Sequence, residues 1–266
     1  MKMTFLTNFF NKIKSSNRSK LKSNKKTITY NNQSIYRCKS ENKEAIDYFN
    51  IGIDKYESGD SRDAIFYYNQ AIDLDPGFAE AYDNRGAAKY MLGDNKSALL
   101  DFDKAILLDP KCAEIYTNRG AAKIKLRDYQ GALYDFDRAI SLKPDYAEAY
   151  YSRHNAKCMI GDLQGTISDL DQAISLKPDY SYAYGSRGTI KSFSGDLSGA
   201  ISDLNRAITL DPQNGAYYYN RSNAKYSLGD MRGATNDLTQ ASKLFYQQGQ
   251  TDNYNQTIEA MQMLKN

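Results

Sequence analysis

Apolar residues recur along most of the chain at the three- and four-residue spacings of helices that bury one face. In residues 82–108 these positions are Tyr82, Ala88, Leu92, Ala98, Leu99, Phe102, Ala105, Ile106 and Leu108. Such spacing places the side chains on one side of an α-helix. The Leu-Gly-Asp sequence at 92–94 interrupts the run, and glycine favours a turn at that point. The pattern predicts two antiparallel helices joined by a short turn.

The two-helix pattern returns every 34 residues. The five prolines of the chain mark this period, at Pro76, Pro110, Pro144, Pro178 and Pro212. The residue before a proline is driven out of the α conformation, so each proline predicts the end of a second helix. A period of this length is typical of a solenoid, in which stacked two-helix units bury a continuous core.

Six units follow from this period. Counted from Ala45, they are 45–78, 79–112, 113–146, 147–180, 181–214 and 215–248. Fixed positions carry an aromatic residue, a small residue, Ala, Phe, Ala and Pro, which in the second unit are Tyr82, Gly86, Ala98, Phe102, Ala105 and Pro110. Residues 45–248 thus resemble the tetratricopeptide repeat (TPR) family. The resemblance implies an all-α, right-handed α-solenoid, the TPR superhelix, which serves as a protein–protein interaction scaffold.

Departures from the TPR pattern are few. Leu170, Leu204 and Leu238 replace the Phe, Thr166 replaces an Ala, and Tyr246 stands where the last proline belongs. Beyond the sixth unit, residues 249–266 carry one apolar stripe, formed by Tyr254, Ile258, Met261 and Leu264 or Lys265. Because the end of a solenoid must be covered, this segment is predicted to be a C-terminal capping helix. A docking helix for a partner is the alternative interpretation.

Five units share a pair of opposite charges. An Arg of the first helix, where TPR proteins more often have an apolar residue, is followed sixteen residues later by an Asp. The pairs are Arg85 and Asp101, Arg119 and Asp135, Arg153 and Asp169, Arg187 and Asp203, and Arg221 and Asp237. The first unit lacks both charges and has Ile51 and Tyr67 instead.

Charges that occur together and are absent together indicate pairing. We therefore predict a structural Arg–Asp ion-pair ladder along the solenoid, within or between units. A Lys four residues after each Arg shares its helix face and is predicted to lie on the solvent side of the ladder. A basic ligand-binding stripe is the alternative.

A column of amides also follows the first helices. Asn50, Asn84, Asn118 and Asn220 come two residues after the recurrent Tyr, which is about 200° around a helix, so they face away from it. In TPR superhelices that side is the concave groove. The column resembles that of O-linked N-acetylglucosamine transferases, whose amides hold the backbone of an extended peptide. An amide suits this task because it offers both a donor and an acceptor. Solvated polar residues are the alternative interpretation.

The predicted peptide-binding groove extends from this column by helical spacing. Its residues are Asn50, Asn84, Asn118, Ser152, Asn155, Ser186, Asn220, Asn223, Met91, Lys125, Met159 and Phe193. Further candidates are Ile53, Tyr182 and the three acids Glu80, Glu114 and Glu148. This mixture suits an extended peptide with basic and apolar residues. Acids in the first turn of a helix also favour its dipole, which gives the three Glu a competing explanation.

The N-terminal segment differs sharply in charge from the remainder. Of the 35 Lys and Arg residues, ten lie within 1–40, which has no Asp or Glu, and the other 25 occur beside all 32 acids. Residues 1–44 cannot build a core and are predicted to be disordered. Leu6, Phe9, Phe10 and Ile13 recur at helical spacing, which indicates a short amphipathic, basic stretch. Four hypotheses for the function of this segment stay open. They are an organelle-targeting peptide, a membrane-surface anchor, a nucleic-acid arm and an inert tail.

Candidate catalytic chemistry is sparse. Cys38, Cys112 and Cys158 show neither a disulfide framework nor metal-ligand spacing, which predicts an intracellular, cytoplasmic protein unless residues 1–40 target an organelle. His154 lies four residues before Cys158, as in a nucleophile pair, but it occupies a position that holds Gly or Ser in other units. A packing role is therefore predicted for His154.

Taken together, these patterns predict a non-enzymatic scaffold for protein or peptide partners. No cofactor, metal or small-molecule substrate is expected, and the sequence indicates no oligomeric state. One alternative is a tethering or assembly factor that its basic N-terminal segment localises and whose solenoid contacts a folded partner. Another is an enzyme subunit that uses His154 and Cys158.

Overall fold

The computed structural model describes residues 40–264, which form thirteen helices and no β-strand. The helices are α1 Lys43–Glu57, α2 Ser61–Leu74, α3 Ala79–Met91, α4 Asn95–Leu108, α5 Ala113–Lys125, α6 Tyr129–Leu142, α7 Ala147–Met159, α8 Leu163–Leu176, α9 Ser181–Ser194, α10 Leu197–Leu210, α11 Gly215–Ser227, α12 Met231–Gln247 and α13 Thr251–Met263. The predictions for residues 1–39, including Cys38, and for Lys265 lie outside the described residues.

The described helices group into two compact parts, residues 40–160 and 161–264. In the first part, α1 packs on α2, α3 on α4 and α5 on α6, and each second helix also packs on the next first helix. In the second part, α9 pairs with α10 and α11 with α12 in the same way, and α13 packs on α12. Each part is thus an α-solenoid of consecutive helices, the fold class predicted from the periodicity.

The first helices lie on the inner side of their stack. In residues 40–160, α1 contacts α3, α3 contacts α5 and α5 contacts α7, and in residues 161–264 α9 contacts α11. Successive second helices in these two parts make no contact of similar extent. Because the elements that lie closer together in a curved stack line its concave side, the first helices form the concave face of each part.

The two helices of a unit cross closely at a small residue. A Cβ atom added at Gly120 would lie 2.7 Å from the Phe136 ring, and one added at Gly86 would lie 2.8 Å from the Phe102 ring. Both rings are buried against alanines of the neighbouring helices. Glycine at this position therefore allows α3 to approach α4, and α5 to approach α6, over a large aromatic side chain.

The turn between paired helices combines a left-handed glycine with a capping aspartate. Gly93 has a φ of 87°, and the Asp94 carboxylate accepts a hydrogen bond from the Ser97 backbone N–H at 3.2 Å, which caps α4. Equivalent caps are formed by Asp60, Asp128, Asp162, Asp196 and Asp230. The repeated Gly-Asp sequence therefore ends one helix and begins the next.

One turn departs from this rule and supports a stability prediction. Arg127 replaces the glycine in the third unit, yet it keeps the left-handed φ of 65°. A left-handed conformation costs a residue with a Cβ about 1–2 kcal/mol. Replacing that residue with glycine removes this cost, but glycine also has more conformational freedom in the unfolded chain, which offsets part of the stabilisation. We expect Arg127→Gly to raise the free energy of unfolding by about 1 kcal/mol in urea denaturation. Gly93→Arg should lower it by a similar amount. Equal stability of both variants and the parent would contradict this account of the turn.

Candidate functional site

The predicted Arg and Asp residues meet between the two helices of their own unit. The Arg119 guanidinium donates from Nε and Nη2 to the two carboxylate oxygens of Asp135, at 3.0 and 2.6 Å. The Asp135 side chain is fully buried, and that of Arg119 is 15% exposed. The same two-point contact joins Arg85 to Asp101, Arg187 to Asp203 and Arg221 to Asp237. Of the remaining pair, Arg153 lies in the first part and the buried Asp169 in the second.

Each of these arginines also reaches the preceding unit, through an acceptor that was not predicted. Nη1 of Arg119 donates to Asp103 at 2.7 Å, and Nη1 of Arg153 donates to Asp137 at 2.6 Å. The acceptors lie sixteen residues before their Arg and are Asn69, Asp103, Asp137, Asp171 and Asn205. The ladder therefore runs within units and between them.

The lysines, which are slightly more exposed than the arginines, also bind the ladder carboxylates, which was not predicted. Lys123 Nζ lies 2.8 Å from the second carboxylate oxygen of Asp135, and the Lys123 side chain is only 18% exposed. The equivalent contacts are Lys89 with Asp101, Lys191 with Asp203 and Lys225 with Asp237. A carboxylate has two oxygens and several lone pairs, so one buried Asp accepts from both cations. These basic residues are engaged within the chain, which disfavours the alternative of a basic ligand-binding stripe.

The recurrent Tyr of the first helices packs beside the same Arg. The Arg85 guanidinium carbon lies 5.2 Å from the Tyr82 ring centre, and Arg119 lies 5.6 Å from that of Tyr116. A cation at this distance from an aromatic ring is attracted by the negative charge of the ring face. The Tyr therefore belongs to the packing of the ladder.

The predicted groove residues all lie on first helices, with half-buried or exposed side chains. In residues 40–160 they are Asn50, Asn84, Asn118, Ser152, Asn155, Met91, Lys125 and Met159. In residues 161–264 they are Ser186, Asn220, Asn223 and Phe193. Each part thus carries its own subset of these side chains on its first helices.

Several amides of the column bond to neighbouring helices, a role that was not predicted. Asn118 Nδ2 donates to Asp83 Oδ1 at 3.0 Å and so joins α5 to α3. Asn220 Nδ2 donates to the Thr189 hydroxyl at 2.9 Å and joins α11 to α9. An Asn side chain has two N–H donors and a carbonyl acceptor, so one such bond engages only part of its capacity.

Acidic side chains on three successive first helices of residues 40–160 act on the buried Tyr146. Burial raises the pKa of Tyr146, and the charges of Glu114 on α5, Glu148 on α7 and Asp83 on α3 raise it further. Burial and then the charge of Asp83 also raise the pKa of Cys112 to about 12. Burial is the larger cause of both shifts, and the nearby carboxylates add to it.

Apolar side chains lie on the same first helices. Those that are half-buried include Ile53, Tyr56, Tyr90, Met91, Ile124 and Met159. One of the acids, Glu114, lies 3.1 Å from Lys143 Nζ. The concave face of residues 40–160 therefore combines negative charge with apolar surface.

His154 and Cys158 are both buried on α7. A ring nitrogen of His154 contacts the Tyr151 carbonyl, and the two aromatic rings are 4.7 Å apart. Burial raises the pKa of Cys158 to about 11, so its thiol stays protonated at neutral pH. The thiolate is the nucleophilic form of cysteine, and these surroundings therefore favour packing over catalysis.

Other features of the described chain do not point to chemistry. Within residues 40–264, no three or more His, Cys, Asp or Glu side chains are grouped as metal ligands would be. A depression of about 290 Å³ lies where α12 meets α13, beside Phe245, Tyr246 and Tyr254. No helix in this range is both long enough and apolar enough to span a membrane.

Comparison with known families decides the affiliation of the chain. Models of the tetratricopeptide repeat match residues 48–78, 79–112, 113–146 and 181–214, in register with four of the predicted units. The chain belongs to the tetratricopeptide repeat family. TPR proteins bind protein or peptide partners, and their fold is typically a non-enzymatic interaction scaffold.

Several solved structures resemble this TPR chain in sequence and in fold. The crystal structure of MamA is 28% identical, with a TM-score of 0.54 over 61% of this chain and 95% of MamA. A TPR protein from Parabacteroides merdae is 21% identical, with a TM-score of 0.64 over 84% of both chains. PilW, a type IV pilus biogenesis factor, is 18% identical, with a TM-score of 0.73 over 82% of this chain and 99% of PilW. The last two support the fold alone. No curated protein matches the chain significantly.

Proposed function

We propose that this TPR protein is a scaffold that binds an extended segment of a partner protein along the concave face of residues 40–160. The segment carries basic and apolar side chains. The observation that supports this best is the acid at one position of three successive first helices, Glu80, Glu114 and Glu148. Their negative charge lies beside apolar side chains, and a basic, apolar segment is complementary to both.

The repeat itself supplies a comparison for these acids. Glu80, Glu114 and Glu148 occupy one position of the second, third and fourth units, and the other units have Ile46, Tyr182 and Ala216 there. The fold therefore accepts apolar residues at this position. Three acids in consecutive units are better explained by recognition than by the architecture.

Equivalent positions on successive first helices favour an extended ligand. A segment that crosses α3, α5 and α7 meets a similar set of side chains at each unit. Each hydrogen bond to Asn84 or Asn118 would contribute only about 0.5–1.5 kcal/mol, so useful affinity requires several units. This requirement suits a solenoid, whose binding surface is extended.

The test uses the full chain and two synthetic twelve-residue peptides that alternate Leu with Lys or Leu with Glu. We expect the Lys peptide to bind, with an affinity that falls as salt is added. Glu114→Gln combined with Glu148→Gln should weaken it about five- to thirtyfold, because two favourable charge interactions of about 0.5–1 kcal/mol each are lost. Fluorescence anisotropy of labelled peptides measures both effects.

The matched control is Asp73→Asn, which removes an exposed acid from α2 on the opposite, second-helix side of the stack. This variant should bind the Lys peptide like the parent. Lys-peptide binding that the two Glu→Gln substitutions leave unchanged, or an equal loss in Asp73→Asn, would refute the assignment of the concave face.

The tethering alternative depends on residues 1–40, and of these only Ser40 is among the described residues. It therefore stands on the basic composition of that segment. Removing residues 1–39 would separate the two functions, because the proposed peptide affinity belongs to residues 40–160 alone.

A further inference from the structure

We infer that the second helices of residues 40–160 carry a separate docking surface, which takes an acidic amphipathic helix of a partner protein. The surface consists of Phe66 on α2, Leu100 and Leu107 on α4, and Tyr134 on α6. These side chains are 57–74% exposed. They lie on second helices, whereas the proposed peptide site lies on first helices.

The repeat shows that the fold does not require this apolar surface. Phe66, Leu100 and Tyr134 occupy the same position in the first, second and third units. The fourth, fifth and sixth units have Ser168, Ser202 and Asn236 there, and these are exposed as well. One architecture thus has an apolar stripe in three consecutive units and a polar one in the next three. Exposed apolar residues that recur at one position of consecutive units are candidates for an interaction site.

The charges around the stripe indicate the partner. Arg62 and Lys96 lie four residues before Phe66 and Leu100, and Arg138 lies four residues after Tyr134, so each shares a helix face with its apolar neighbour. All three basic side chains are exposed. No ion pair within residues 40–264 involves any of them. The stripe therefore has available positive charge along its sides.

The acids on the same face are mostly neutralised. Asp103 and Asp137 accept hydrogen bonds from Arg119 and Arg153, at 2.7 and 2.6 Å, and Asp63 lies 3.7 Å from Lys55. Asp73 is the one exposed acid of α2, α4 and α6 on this face that forms no such pair. Three available cations against one available carboxylate favour an acidic partner.

A helix is the occupant that fits a stripe of this kind. An amphipathic helix presents apolar residues at three- and four-residue spacing with charged residues on both sides. With Glu and Asp in those flanks, it would match the apolar centre and the basic edges at once. The basic N-terminal segment of this chain has apolar residues at helical spacing too, but Arg62, Lys96 and Arg138 would repel it.

The experiment measures binding of the full chain to two labelled eighteen-residue helical peptides that share one Leu stripe. One has Glu in its flanks and the other has Lys. In the Glu114→Gln, Glu148→Gln background, which weakens the proposed concave site for basic segments, we expect the Glu helix to bind at least tenfold more tightly than the Lys helix. A triple variant, Phe66→Ser with Leu100→Ser and Tyr134→Asn, should reduce this binding at least tenfold. It introduces only residues that the chain itself carries in the later units, so its circular dichroism and melting should match the parent.

A charge-reversed variant provides the second arm. Arg62→Glu with Lys96→Glu and Arg138→Glu should lose the Glu helix and gain the Lys helix, which a purely apolar contact would not show. Glu114→Gln with Glu148→Gln, on the concave face, should leave Glu-helix binding unchanged. Binding of both helices alike, or unchanged binding by the apolar triple variant, would overturn the inference. Self-association of the parent that the triple variant abolishes in sedimentation would assign the face to a second copy and would also overturn it.

Discussion

Replacing Asp135 with alanine is expected to lower the free energy of unfolding by about 3–5 kcal/mol, because it leaves buried cations without their counterion. The Asp135 carboxylate accepts from Arg119 through two nitrogens and from Lys123 through a third. Both cationic side chains are less than one-fifth exposed. Neither can regain full hydration without opening the contact between α5 and α6. Urea denaturation monitored by circular dichroism measures the loss.

The control for this variant is Asp137→Ala. Asp137 also bonds to an arginine, Arg153, but its side chain is 61% exposed. Exposed ion pairs contribute about 0–1 kcal/mol, so this variant should stay within 1 kcal/mol of the parent. Similar losses in both variants would mean that burial does not set the strength of the ladder.

The first unit shows how the pair can be replaced without penalty. It has Ile51 and Tyr67 where the third unit has Arg119 and Asp135. The combined variant Arg119→Ile with Asp135→Tyr should therefore recover part of the stability that Asp135→Ala loses, since it avoids the desolvation of two charges but must fit a larger ring. Lys123 would then have to reach solvent, as Lys55 does in the first unit, where it is 41% exposed. A double variant no more stable than Asp135→Ala would show that the ion pairs also position the helices.

The predictable part of this structure is the part that the 34-residue period repeats. Prolines, glycines and alanines at fixed positions indicated the helix pairs, because each residue type has a strong local preference or a place in the core. The pairing of Arg119 with Asp135 was predictable for a related reason, since the first unit lacks both charges. The sixteen-residue link from Arg119 back to Asp103 has an equally regular pattern. It was overlooked because water can solvate an exposed carboxylate on the second helix, so its presence does not by itself indicate an ion pair.

The concave face was less predictable, because its polar side chains serve packing as well as any ligand. Helical spacing correctly placed Asn118 on the first helices, but it could not show that its amide reaches Asp83 on α3. That contact depends on how closely successive first helices approach, and the period does not specify the distance. The contact of Lys123 with Asp135 was not predicted for a related reason. Four residues along a helix place Lys123 on the same face as Arg119, and their common partner Asp135 then draws both inward.

The close crossing of the two helices leads to the second large effect. Gly52, Gly86 and Gly120 lie opposite Tyr68, Phe102 and Phe136, whereas the sixth unit combines Ser222 with Leu238. We expect Gly120→Ser alone to lower the free energy of unfolding by about 2 kcal/mol, because its Cβ would meet the fully buried Phe136 ring. Phe136→Leu alone should cost about 1–2 kcal/mol through the cavity that it leaves.

Together the two substitutions reproduce the pair of the sixth unit, where the Ser222 hydroxyl donates to the Tyr219 carbonyl at 2.7 Å. In the Phe136→Leu background, Gly120→Ser removes no aromatic contact and fills part of the vacated space. The double variant should therefore be more stable than the sum of the two single losses by about 1–2 kcal/mol, the coupling expected for residues in direct contact. Urea denaturation of the four proteins gives this coupling energy. Strict additivity would mean that the distance between α5 and α6 adapts freely to the residue at position 120, and that glycine is not what allows the aromatic ring there.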